Sequence, residues 1–107
     1  MSEHPLDRLY ATIAARKAEG DTSSSYTAKL LSEGVQKCAK KFGEEAVETA
    51  LAAVSGNKAD LAAESADALY HLLVLWAAAG ITPDEVYAAL KSRESRSGVA
   101  EKASRAK

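Results

Sequence analysis

The chain has 107 residues, a formal net charge of −1 and a single cysteine, Cys38. Its size makes one domain the expectation, with a core that buries only part of the surface and leaves room for help from a second subunit. The near-neutral balance, without a basic stripe, argues against a broad nucleic-acid surface, and the lone thiol excludes an intrachain disulfide and fits a reducing cytosol.

Ser2 to Arg8 is polar, with no apolar leader segment. The most apolar run, Ala68 to Ile81, is broken by Tyr70 and His71 and falls short of the roughly 20 residues a membrane span needs. A cytoplasmic chain with neither a nucleic-acid nor a membrane partner is expected. Ala, Leu, Glu and Lys are abundant, proline is scarce and there is little strand-type alternation. The fold class is therefore all-α, a helical bundle around a central antiparallel helix hairpin.

The first helix begins after Pro5, carries Leu6, Leu9, Tyr10, Ile13 and Ala14 on one face and stops at Gly20. Asp21 to Ser25 is a hydroxyl-rich loop whose serines cap the next helix; a phosphate contact by those hydroxyls is the lesser alternative. Tyr26 to Glu33 forms a short helix with Leu30 and Leu31 inward, and Gly34 marks a bend before a long helix from Val35 to about Val54. Gly43, inside that helix, costs about 1 kcal/mol relative to alanine. Close approach of another backbone, a ligand beside Glu44, or helix packing would explain it.

On this long helix Val35, Cys38, Ala39, Phe42, Ala46 and Ala50 make an apolar face, and Val47, Leu51 and Val54 extend apolar character round the far side. Lys41, Glu45, Glu48 and Ala52 fall in the narrow gap between them, so the acids should look into the bundle or its edge. Asn57 or Asp60 caps the following helix, which ends at Gly80 and carries Glu64, Asp67 and His71 as a stripe. From Leu72 onward that helix is apolar on every side and should be the most buried element. Thr82-Pro83-Asp84-Glu85 then reads as a capping-box start, followed by a helix presenting Val86, Ala89 and Leu90. Beyond Arg93 the sequence turns polar and basic, and residues 95–107 are expected to be a loose tail of the single 1–107 domain.

The chemistry lies in two acidic pairs, Glu45 with Glu48 and Glu64 with Asp67. A spacing of three puts both members of a pair on one helix face. If Ser55-Gly56-Asn57 is a tight turn between antiparallel helices, Glu45 and Asp67 lie equally far on either side of Gly56, and so do Glu48 and Glu64. Four carboxylates then face one another in two rungs about 4.5 Å apart. Oxygen donors in this number suit Mg²⁺, and without a cation they would repel and raise one another's pKa. Glu44, rotated about 100° from Glu45, is a candidate base or outer support for the cluster.

Either motif alone is common on solvated helices, where Lys40 and Lys41 would pair with Glu44 and Glu45; the matched register and apolar flanks favour the metal. A ferritin-like di-iron site needs Glu-x-x-His motifs, and the only histidines are His4 and His71, the latter read as a packed residue. Tyr70, Trp76 and Tyr87 are read as core or interface aromatics. Nothing is arranged to activate Cys38 as a nucleophile.

Three runs carry a resemblance: Ser25-Tyr26-Thr27-Ala28-Lys29-Leu30-Leu31, Lys40-Lys41-Phe42-Gly43-Glu44-Glu45-Ala46-Val47-Glu48, and Glu64-Ser65-Ala66-Asp67-Ala68-Leu69-Tyr70-His71-Leu72-Leu73-Val74-Leu75. Over nearly its whole length the chain resembles the phosphoribosyl-ATP pyrophosphohydrolases of histidine biosynthesis, within the all-α nucleotide pyrophosphohydrolase superfamily. The acidic motifs are shared across that superfamily, and the KKxGEEA and DALYHLL stretches narrow the likeness. The resemblance implies hydrolysis of phosphoribosyl-ATP to phosphoribosyl-AMP and pyrophosphate. It further implies Mg²⁺ held by Glu45, Glu48, Glu64 and Asp67, and a homodimer completing the bundle. The cyclohydrolase module sometimes fused to this enzyme has no room in 107 residues, so a single step is expected. Lys40, Lys41, Arg93 and Arg96 are candidates to hold phosphates, with Lys102 and Arg105 weaker. Two other readings stay open: a house-cleaning nucleoside triphosphate pyrophosphohydrolase, and a non-enzymatic helical interaction module.

Overall fold

The computed structural model describes residues 4–94. The expected tail, and with it Arg96, Lys102 and Arg105, lies outside the described residues. Five helices follow one another: α1 Pro5–Glu19, α2 Tyr26–Ser32, α3 Val35–Ser55, α4 Lys58–Ala79 and α5 Pro83–Arg93. No strand occurs among the described residues.

Local chemistry sets the helix ends. Ser25 accepts from the Ala28 amide to open α2, and Asn57 accepts from the Asp60 amide to open α4. Thr82 and Glu85 form the reciprocal capping box of α5, with Pro83 in its first turn. Asp21 gathers the hydroxyls of Ser23 and Ser24, each at 2.7 Å. These bonds hold its carboxyl below the usual range, Ser24 contributing most.

The core sits at one end of the molecule. Ile13, Leu30, Cys38, Leu73, Val74, Trp76 and Ala77 form a single buried cluster, to which α4 contributes the last four. As expected, α4 is the most buried element beyond Tyr70. Three polar ties hold α1 and α5 against this end: Lys17 Nζ donates to the Ala77 carbonyl (2.8 Å), Tyr10 to the Ile81 carbonyl (3.0 Å) and Tyr87 to Asp7 (2.8 Å). Trp76 is a core aromatic, and Tyr70 packs against the same cluster.

Two expectations need correction. An added Cβ at Gly43 would meet nothing within 4 Å, so no other backbone approaches it among the described residues. The apolar face assigned to α3 is only partly covered, because Val35 is 45% exposed and Cys38 alone of that face is buried. On the far side Val47, Leu51 and Val54 are exposed. The reason is a shortage of partners: α3 packs mainly on α4 and touches α2 lightly, so the described residues leave one of its flanks open.

No single described helix is long and apolar enough to cross a membrane, and α4 and α5 are bent by 113° at the break between them.

Candidate metal centre

The centre is built by the turn between α3 and α4. Gly56 takes a left-handed conformation (φ 82°) that closes α3, a backbone position glycine occupies without steric cost. Asn57 starts α4 at once, so the chain reverses tightly and the two helices pack along each other.

A hydroxyl pins the register. Thr49 Oγ1 lies 2.8 Å from the Glu45 carbonyl on its own helix and 2.9 Å from the Glu64 carbonyl across the gap. With that link in place, Glu45, Glu64 and Asp67 each present a carboxylate oxygen, all within 4.8 Å of one another. Glu45 and Glu64 are half-buried and Asp67 is exposed. Glu48 stands outside this triad. It lines an adjoining cavity of about 400 Å³ with Leu51, Ala52, Asp60, Ala63 and Glu64.

The site is electrostatically crowded. Burial raises the Glu64 carboxyl above the usual range, and Asp67, Glu45, Glu48 and Asp60 push it further in that order. Hard divalent cations take carboxylate oxygens as ligands, and the three that converge here would hold one. The donor set is entirely carboxylate, matching a hard cation, and an ion there would remove the mutual repulsion.

Around the triad, Glu44 is exposed and ion-paired with Lys41 (3.5 Å). Tyr26 contributes most to raising the Lys41 ammonium above its ordinary range, with Glu44 and Glu45 adding to it against partial desolvation. Lys40 is exposed on the same helix. Arg93 ends α5, which packs chiefly on α1.

His71 is buried, as expected of a packed residue. Its Nδ1 donates to the Asp67 carbonyl at 2.9 Å, and its ring meets Tyr70 and Tyr26 edge-on. It does not join the acid triad, although its bond fixes the backbone beneath Asp67. Cys38 is also buried; its thiol is pushed up by desolvation and then by Glu33, and donates to the Leu30 carbonyl.

Two contributors escape a sequence reading. Thr49 carries no charge signal, and its role exists only once the helices face each other. Asp60 reads as a cap, yet its spacing of four from Glu64 is the signal that places both on one face.

The chain matches the profile of the family described as phosphoribosyl-ATP pyrophosphohydrolase over residues 6–94. It is 61% identical to a phosphoribosyl-ATP pyrophosphatase of Parvibaculum lavamentivorans, over 94% of this chain and 91% of that protein. A protein of the same name from Azospirillum brasilense is 59% identical over 94% of this chain and 89% of its own length. The Gluconobacter oxydans protein of that name is 52% identical over 95% and 76%. This chain belongs to the phosphoribosyl-ATP pyrophosphohydrolase family.

Proposed function

We infer that the chain is a hydrolase of histidine biosynthesis that converts phosphoribosyl-ATP to phosphoribosyl-AMP and pyrophosphate, with Mg²⁺ held between α3 and α4. The observation that carries the metal reading is the convergence of Glu45, Glu64 and Asp67 within 4.8 Å. Family membership favours this enzyme over the non-enzymatic module.

Glu45, Glu64 and Asp67 would supply carboxylate ligands, and Glu48, one turn further along α3, would supply a fourth. The bound cation would neutralise charge on the triphosphate and on the departing pyrophosphate. Thr49 and the α3–α4 packing hold the ligands in register, so little reorganisation accompanies the reaction. Glu44, one residue outside the cluster, is the candidate to orient water for attack in line with the α,β-anhydride and to take its proton. Lys41 now neutralises Glu44; turning toward substrate phosphate would release that carboxylate. Lys40, Arg93 and Arg96 are further candidates for phosphate contact.

A second copy of this chain is the proposed partner. Val47 (59% exposed), Leu51 (60%) and Val54 (86%) leave one side of α3 apolar and uncovered, and a homodimer would cover it while enclosing the acids. A sedimentation mass of two chains at micromolar concentration is expected, and a mass of one chain would count against the dimer. For the reaction, pyrophosphate release with Mg²⁺ is compared between phosphoribosyl-ATP and a panel of nucleoside triphosphates. Release from phosphoribosyl-ATP alone is expected, and release only from the panel would favour the house-cleaning activity.

A further inference from the structure

The cavities on the two sides of the acid triad differ in charge. Toward the C-terminal end of α3 the lining is acidic, with Glu48, Asp60 and Glu64. Toward its N-terminal end, where α2 meets α3, a second cavity of about 230 Å³ is lined by Tyr26, Lys29, Leu30, Glu33, Lys37 and Lys41. Three ammonium groups line it with the one carboxylate of Glu33, and of the three Lys41 also pairs with Glu44 outside the lining.

Buried contacts fix this arrangement. Leu30 is 2% exposed, the Cys38 thiol donates to its carbonyl at 3.3 Å, and the hydroxyls of Thr27 and Tyr70 meet. The lysines thus stand on helices whose mutual position the core sets. Lys41 connects this cavity to the acids, since Glu45 follows it by one helical turn, about 6 Å along the axis, and Lys37 lies about 12 Å from Glu45.

We propose that the lysine-lined cavity is the subsite for the monophosphate of the phosphoribosyl group, the end of the substrate remote from the cleaved anhydride. Lys29 and Lys37 hold the phosphate there, and Lys41 stands between the two ends. This assignment rests on the phosphoribosyl-ATP reading above. The substrate is anionic at both ends, and a cation between the acids accounts only for the triphosphate. The monophosphate is repelled by the acidic cavity and attracted by the lysines, which bind phosphate as point charges. Tyr26, 54% exposed on the same lining, offers its hydroxyl to the attached sugar.

The test uses ribose 5-phosphate as the probe. Added to the full chain without divalent cation, it is expected to shift backbone amides around Tyr26–Glu33 and Lys37–Lys41. In Lys29→Gln/Lys37→Gln, with helical circular dichroism intact, we expect the KM for phosphoribosyl-ATP and the inhibition constant of ribose 5-phosphate to rise about tenfold. The inhibition constant of Mg²⁺-pyrophosphate should stay within about twofold, because lost lysine contacts weaken only the group they touch. Amide shifts that avoid the cavity, an unchanged KM, or a rise for pyrophosphate in place of ribose 5-phosphate would overturn the assignment. A wild-type chain that turns over no phosphoribosyl-ATP would instead remove the substrate reading, while the shift map still tests the cavity.

Discussion

The two halves of α4 are one continuous helix with opposite surroundings. From His71 to Ala77 it is packed among Ile13, Leu30 and Cys38, with Leu73 completely buried. From Lys58 to Asp67 no residue is buried, and α3 is the helix on which α4 packs most. The packed half fixes the axis, and the open half uses that fixed axis to hold like charges together. Holding like charges close is unfavourable for folding in itself, so a functional site in the open half would come at a cost in stability.

Substitutions in the two halves should therefore separate activity from stability. The largest effect belongs to the open half: Glu45→Gln or Asp67→Asn is expected to abolish pyrophosphate release while leaving the helical circular dichroism unchanged. Full turnover in either variant would mean the metal is wrongly placed. In the packed half, Leu73→Ala should cost about 2–5 kcal/mol of unfolding free energy in denaturant titration, from lost burial plus the cavity left behind. A loss below 1 kcal/mol would show that this half does not anchor the helix.

Ligand binding sharpens the contrast. A divalent cation at 100 times its dissociation constant should stabilise the native chain by about 2.7 kcal/mol, read as a rise in the thermal midpoint that Asp67→Asn lacks. The cap of α5, outside both halves, gives a smaller change. Thr82→Ala should cost about 1 kcal/mol by removing an acceptor for the Glu85 amide, with no change in KM.

The smallest effect is at Asp21, whose carboxyl titrates below its usual range. A lowered folded pKa makes the ionised side chain stabilising above its unfolded pKa, and that contribution disappears as pH falls through the folded value. The difference in thermal midpoint between wild type and Asp21→Asn should thus be present at neutral pH and vanish in strong acid. A difference independent of pH would contradict it.

Much of this could be read from the residues. Thr82-Pro83-Asp84-Glu85, Ser25 and the glycines after Glu19, Ser55 and Ala79 mark helix ends by local chemistry, which needs no tertiary knowledge. The facing of Glu45 and Asp67 was legible too, because Gly56 sits midway between them and helical rise is constant. Exposure was not. A helical wheel ranks the faces of α3 against one another but does not say how many partners cover them, so Val47 and Leu51 read as walls and are found open. Thr49 and the lysine cavity became visible only when separate helices were brought together.

The central claim is that the acids between α3 and α4 hold a divalent cation. Titrating Mn²⁺, a spectroscopic substitute for Mg²⁺, and following the free-ion electron paramagnetic resonance signal tests it without turnover. Wild-type chain is expected to remove the ion from solution, and Glu45→Gln/Asp67→Asn to leave it free. Equal uptake by both would contradict the account.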